Sequence, residues 1–185
     1  VNGTGLVTAV ANGGPVTFSA SAGGKSATAS VTVAQAVASV AVSPPTTTLA
    51  SLGATVQLLA TPQDALGNPV AGQTVTWTSS NNAVAMVGVS GLVTAITTGG
   101  PVTITATVGS KSGTATVTVA QAVASVSVSP PATTLASFGE TQQLTATALD
   151  ASGATVSGLP VSWSSSNSSV ASVSLTGLVT AVSNG

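Results

Sequence analysis

The sequence predicts an all-β fold, a tandem series of antiparallel β-sandwiches, and three observations carry that prediction. The first is a period. Trp77 and Trp163 stand 86 residues apart, as do Gly5 and Gly91, and again Gly91 and Gly177; a fixed spacing of this kind marks one structural unit copied along the chain. The second is alternation. Val16, Phe18 and Ala20 fall on one face of an extended chain, and so do Val56, Leu58 and Ala60, which is the two-residue rhythm of a strand. The third is composition. β-branched Val and Thr dominate and no helical apolar stripe appears, so helix has little room.

The period divides the 185 residues into three parts. Residues 1–33 read as the C-terminal part of a first repeat, 34–119 as a complete repeat, and 120–185 as the N-terminal part of a third. A repeat of 86 residues approaches the roughly 100 of a seven-stranded immunoglobulin-like sandwich. Seven to eight short strands are expected in each, separated by turns.

Taken in order, Gly5 to Val10 reads as a short strand and Asn12-Gly13-Gly14 as a turn. Pro15 to Ser21 and Ser26 to Val33 alternate on either side of Ala22-Gly23-Gly24-Lys25, the pattern of a hairpin. Val37 to Ser43 opens the complete repeat and stops at Pro44-Pro45, since proline has no N–H for a ladder. Ala54 to Thr61 is the next strand. Asp64, Gly67 and Asn68 then form a turn, the two polar side chains bonding local backbone and the glycine supplying positive φ. A strand through Val75 and Trp77 follows, then a short one through Val84 and Met86 or Ala85 and Val87. GLVTAI, PVTITATV and GTATVTV repeat the three strands already met near the N-terminus.

Residues 120–185 begin the pattern again: QAVAS at 35–39 returns unchanged at 121–125, and Asp64 and Gly67 return as Asp150 and Gly153. Val33-Ala34-Gln35 and Val119-Ala120-Gln121 pass from last strand to first strand with almost no linker. Connectors this short limit swing between neighbours, and a semi-rigid rod of units set end to end is expected.

Charge excludes several classes of function. Only Lys25, Asp64, Lys111, Glu140 and Asp150 carry charged side chains at neutral pH, for a formal net charge of −1. Nothing here makes a basic patch for nucleic acid or anionic lipid. Disorder requires low hydrophobicity with high charge, and 43% of the residues are hydrophobic. Ser, Thr, Gly and Pro interrupt every apolar run before it reaches the roughly 20 residues of a membrane-spanning helix. A membrane barrel needs aromatic girdles, and the chain has no Tyr, two Trp and two Phe. No membrane insertion is expected. Cysteine is absent, so neither disulfide nor thiol chemistry enters. The opening VNGTGLVTAV has no cationic stretch and no apolar core of a signal peptide.

No catalytic, cofactor-binding or metal-ligating residue is expected. Trp77 and Trp163 suit either a sugar-stacking platform or a core plug, and their flanking alternation favours the core, where such sandwiches bury a tryptophan. Asp64, Asp150 and Glu140 are too few and too scattered for calcium, which takes six to eight oxygens, commonly from several carboxylates; the aspartates read as turn formers. Serine nucleophiles need a base, and the chain has no His and no Ser-x-x-Lys arrangement. Gly23-Gly24-Lys25-Ser26 resembles the end of a phosphate loop, but no helix follows and the glycine spacing is wrong, so it reads as a hairpin turn. Asn2-Gly3-Thr4 and Asn167-Ser168-Ser169 fit the N-glycosylation pattern, which is common by chance.

The ordered motifs VxSVxVSP, TLAxxGxTxQLxAT, DAxG, VxWxSSN, GLVTAV and GTATVTV resemble the bacterial immunoglobulin-like domain, group 2, over the whole chain. Trp77 to Asn81 and Trp163 to Asn167 carry the WxSSN segment, and GLVTA occurs at Gly5, and at Gly91 and Gly177 in turn. The resemblance implies a β-sandwich and an extracellular place in bacterial surface proteins, intimin- and invasin-like adhesins, or phage tail and capsid proteins. It carries no shared catalytic residues. The scarcity of charge departs from the family and bears on solubility.

The near-identical copies and minimal linkers point to a rod-like spacer or fibre-forming array, because stacked repeats need only nearest-neighbour contacts. Its partners are then neighbouring repeats and further copies of the chain in a filament or bundle. The alternative is an adhesive module for a host protein or glycan, which needs one repeat whose exposed face differs from the others. The ends fall inside a repeat, so strand exchange between copies is conceivable. GLVTAV occurs at both ends, however, and a donated segment has no need to duplicate a strand of its acceptor; a window on a longer repetitive chain is the expectation.

Overall fold

The computed structural model describes residues 1–184. It is all-β, with sixteen strands and no helix among the described residues. The first two strands, β1 (Gly13–Ala22) and β2 (Lys25–Val33), form an antiparallel hairpin. Its turn is Gly23-Gly24, with φ of 56° and 72°. Positive φ at both central residues is what a two-residue hairpin connection needs to match strand twist, so the Lys25-Ser26 segment is a turn exit, as its sequence suggests.

Three sheets follow. β3 (Ser39–Ser43) pairs with β6 (Leu59–Gln63). β5 (Thr55–Gln57), β9 (Leu92–Ala95) and β8 (Ala85–Val87) form a three-stranded sheet in that order. β4 (Thr46–Leu49), β11 (Lys111–Val119), β10 (Gly99–Val108) and β7 (Thr76–Ser79) form a four-stranded sheet in that order, with β4 parallel to β11. The core lies between sheets. Val102, Ile104, Ala115, Val117 and Val119 on the inner face of the hairpin meet Leu58, Ala85, Val93 and Ala95, and a smaller cluster holds Val40, Ala106 and Val108. Among the described residues, every buried hydrophobic side chain lies from Val40 to Val119.

The copies agree register for register. Val16↔Val31 and Ala22↔Lys25 in the first hairpin correspond to Val102↔Val117 and Val108↔Lys111 in the second, each with an irregularity after its leading glycine. β12 (Ser125–Ser129) pairs with β14 (Thr145–Leu149) as β3 pairs with β6. β13 (Thr141–Gln143), β16 (Leu178–Ala181) and β15 (Ala171–Val173) repeat the three-stranded sheet. The peptide bonds preceding Pro15 and Pro101, and those preceding Pro44 and Pro130, are cis.

The strands depart from the sequence reading in four places. Gly5 to Val10 is not a strand; its counterpart β9 is held between β5 and β8, and an extended segment without such neighbours has no ladder to join. Thr46–Leu49, read only as a connection, is a strand because β11 offers it a parallel edge. Ala54 to Thr61 is two strands, since β5 and β6 belong to different sheets and the chain changes sheet at Leu58. These last two differences bring the count between Ser39 and Val119 to nine. Val161 to Ser165 forms no strand, whereas its counterpart β7 pairs with β10. Between the two alternatives for the short strand, Ala85 and Val87 face inward and Met86 is half exposed.

Candidate functional site at the repeat junction

The two period-spaced markers, tryptophan and glycine, form one packing unit. Leu58, where the chain crosses between sheets, donates its N–H to the Gly91 carbonyl at 2.9 Å. The Gln57 amide holds the same loop by donating to the carbonyls of Leu58 and Ser90, at 2.8 and 2.7 Å. Trp77 packs over this point, touching both core clusters. The copy is faithful: Leu144 bonds Gly177 at 2.9 Å, and Gln143 bonds the carbonyls of Leu144 and Thr176, both at 2.7 Å. Neither indole is fully buried, but Trp77 does pack against the core. Trp77 seals the seam between two small clusters. Trp163 borders an open cleft of about 340 Å³ with Leu144, Val161 and Leu175.

The remaining candidates are turn formers. The Asn2 side-chain oxygen accepts from the backbone N–H of Thr4 and Leu6, at 3.1 and 2.9 Å. That of Asn167 accepts from Ser169 at 3.1 Å, as Asn81 does from Ala83. Glu140 closes its own loop by accepting from Ala136 and Ser137 at 2.6 and 3.0 Å. Among the described residues no three acidic groups gather in a metal-binding cluster.

Asp64 and Asp150 do more than their sequence suggests. Asp64 Oδ1 accepts from the backbone N–H of Leu66 and Asn68, both at 2.9 Å, and Gly67 within the turn has a φ of 83°. The Asn68 side chain bonds this carboxylate rather than backbone. Asp150 Oδ1 likewise accepts from Ser152 N–H, Ser152 Oγ–H and Ala154 N–H, at 2.9, 2.6 and 3.0 Å. One carboxylate oxygen thus shapes the turn. The other points out of it.

Asp150 Oδ2 accepts from the Gln121 side-chain amide at 2.9 Å and from the backbone N–H of Leu52, 98 residues away, at 3.0 Å. Gln121 in turn accepts from Thr98 Oγ at 3.0 Å. The intervening connector is held from both sides: Ala120 and Ala122 donate to the carbonyls of Leu49 and Ala50, and Ala124 donates to that of Leu149, at 3.0, 2.9 and 2.8 Å. Asp150 is the one buried polar or charged side chain among the described residues, 2% exposed. The Ser152 hydroxyl, then Gln121 and the backbone donors, hold its carboxyl well below the usual carboxylate range despite that burial, since donors to the ionised form favour it.

The same positions meet 86 residues earlier. The Gln35 amide donates to Asp64 Oδ2 at 3.1 Å, Asn12 donates to Gln35 Oε1 at 3.2 Å, and the Gln35 backbone N–H donates to Asn12 Oδ1 at 2.7 Å. The Asn68 backbone N–H, followed by the Gln35 amide, lowers the Asp64 pKa. Sequence reasoning passed over these glutamines. Their signal was the unchanged QAVAS segment, read only as a mark of the repeat.

Among curated proteins none matches the sequence. Two similar solved structures are fragments of the S-layer protein SbsC. Its domains 4 and 5 align with a TM-score of 0.46 and 25% identity over 57% of this chain and 66% of that one. Its domains 4–9 align with a TM-score of 0.46 and 24% identity over 90% of this chain and 31% of that one. The chain therefore spans less than two thirds of either of these two structures. The family model described as bacterial Ig-like domain (group 2) matches twice in tandem, at residues 36–119 and 122–185. With most of its length matched, the chain belongs to the bacterial Ig-like domain (group 2) family.

Proposed function

We propose that the chain is a non-enzymatic structural repeat region of a long bacterial extracellular or cell-surface protein, a rod-like spacer or filament-forming array. Its repeats divide at residues 33/34 and 119/120, and its partners are neighbouring repeats and other copies of itself. The observation that carries this reading is the sameness of the exposed face. The alternate positions Thr17, Ser19 and Ser21 of β1 and Ser26, Thr28, Ser30 and Thr32 of β2 match Thr103, Thr105, Thr107, Ser112, Thr114, Thr116 and Thr118, a hydroxyl every time. A recognition module would distinguish one copy's surface, whereas a spacer or self-associating fibre needs the same surface in each.

Cryo-electron tomography of cells or particles carrying the native protein tests this. The reading expects extended rods or a periodic layer outside the cell envelope. A compact, dispersed protein with saturable binding on a glycan array would overturn it in favour of an adhesive module.

A further inference from the structure

The Asp150 turn, the Gln121 side chain and the Leu52 loop belong to three successive stretches of chain, yet they converge on one carboxylate oxygen. We propose that the aspartate turn of each repeat is a docking surface for the Thr-Leu-Ala-Ser-Leu-Gly loop of the repeat before it, with the connector glutamine as the bridge, and that this contact fixes the setting of one repeat on the next. The inference deepens the array reading and rests on it: it says how a chain of small sandwiches becomes a stiff one.

Three features support it. The two carboxylate oxygens divide the work, Oδ1 bonding Ser152 and Ala154 within the turn and Oδ2 bonding Leu52 and Gln121 across the junction. A turn former alone has no use for the second set. The bridge also recurs: Asn12, Gln35 and Asp64 stand where Thr98, Gln121 and Asp150 stand, and the same atoms of glutamine and aspartate meet. Finally, burial follows the docked loop. Asp150, which accepts the Leu52 N–H, is 2% exposed. An ionised group out of water persists only where donors surround it, so the covered carboxylate needs both sets of partners.

The test uses the 185-residue chain, which has no cysteine, with spin labels placed through Thr78→Cys on β7 and Ser127→Cys on β12. Pulsed electron–electron resonance reads the spread of distances between the two repeats. Asp150→Asn keeps one oxygen for the turn but sets an NH₂ against the donors from Leu52 and Gln121. Gln121→Ala removes the bridge without touching the turn, which keeps the test open should Asp150→Asn impair folding. Each is expected to broaden the distribution about twofold or more, as for a connector left free to swing. Asp64→Asn, at the other junction, leaves it narrow. A distribution as narrow in both junction variants as in the parent, with tryptophan fluorescence unchanged, overturns the docking contact. That result leaves the array reading standing, because tomography decides it separately.

Discussion

Trp77 leaves no room for a side chain at Gly91: a Cβ there would lie 2.8 Å from the indole and 2.6 Å from the Leu58 carbonyl oxygen. Gly177 stands in the same relation to Trp163 and Leu144, at 2.8 and 2.7 Å. The backbone φ values are 82° and 84°. The spacing that defines the repeat is therefore a contact. The tryptophan needs a glycine, and the glycine needs the positive φ that turns the chain into β9 or β16.

Gly91→Ala accordingly combines two costs, the left-handed backbone and the clash. Gly67 has the same φ, 83°, with nothing within 4 Å of its would-be Cβ, so Gly67→Ala isolates the first. We expect Gly67→Ala to cost about 1–2 kcal/mol and Gly91→Ala about 1–3 kcal/mol more, the range for overpacking. Urea unfolding followed by tryptophan fluorescence measures both; equal midpoints would remove the indole from the account.

The two tryptophans differ in what they face. Trp77 packs against both core clusters, whereas no cluster of buried side chains surrounds Trp163. Trp77→Ala is expected to cost about 3–5 kcal/mol, as for a large core side chain, and Trp163→Ala clearly less. The tryptophan left in each variant reports on its own repeat. A larger loss for Trp163→Ala contradicts the assignment of the core to Val40–Val119.

Much of this was legible in the sequence because it rests on local rules. Alternation located both hairpins, and the Asp-x-x-Gly pattern marked turns whose aspartate bonds local backbone. What stayed hidden depends on partners distant in the chain. Nothing local tells that Leu58 changes sheets or that Thr46–Leu49 finds an edge beside β11. The Oδ2 contacts of Asp150 were invisible for the same reason, since Leu52 is 98 residues away. The identical QAVAS segments hinted at a shared task without naming it.

Acid stability follows from the aspartates. Both have folded pKa values lowered from 3.8, Asp150 the more strongly. A carboxylate lowered on folding contributes stability that is present above its unfolded pKa and lost as pH falls through the folded one. With no His and no Cys, the urea midpoint should be flat from about pH 8 to about pH 5, then decline below about pH 4 and continue declining as Asp150 protonates. Asp150→Asn should flatten much of that acid limb. An acid limb of the same depth in that variant shows that other groups carry it.

Low charge predicts lateral association. The outer face of the β4-β11-β10-β7 sheet carries Thr46 and Thr48, then Thr114, Thr116 and Thr118, then Thr103, Thr105 and Thr107, then Thr76 and Thr78, with cross-strand pairs such as Thr46↔Thr116 and Thr78↔Thr105. These hydroxyls carry no charge, and a net charge of −1 supplies little repulsion between copies. The apparent mass in light scattering should therefore rise with concentration above the 17.3 kDa of one chain. Thr48→Glu, Thr76→Glu and Thr103→Glu lie on three different strands, are not cross-strand partners of one another, and together take the formal charge from −1 to −4. The triple variant should hold the monomer mass at concentrations where the parent associates, with its circular dichroism unchanged. If the parent stays monomeric throughout, the threonine face has no part in assembly; if the variant associates as strongly as the parent, the contact lies on another surface.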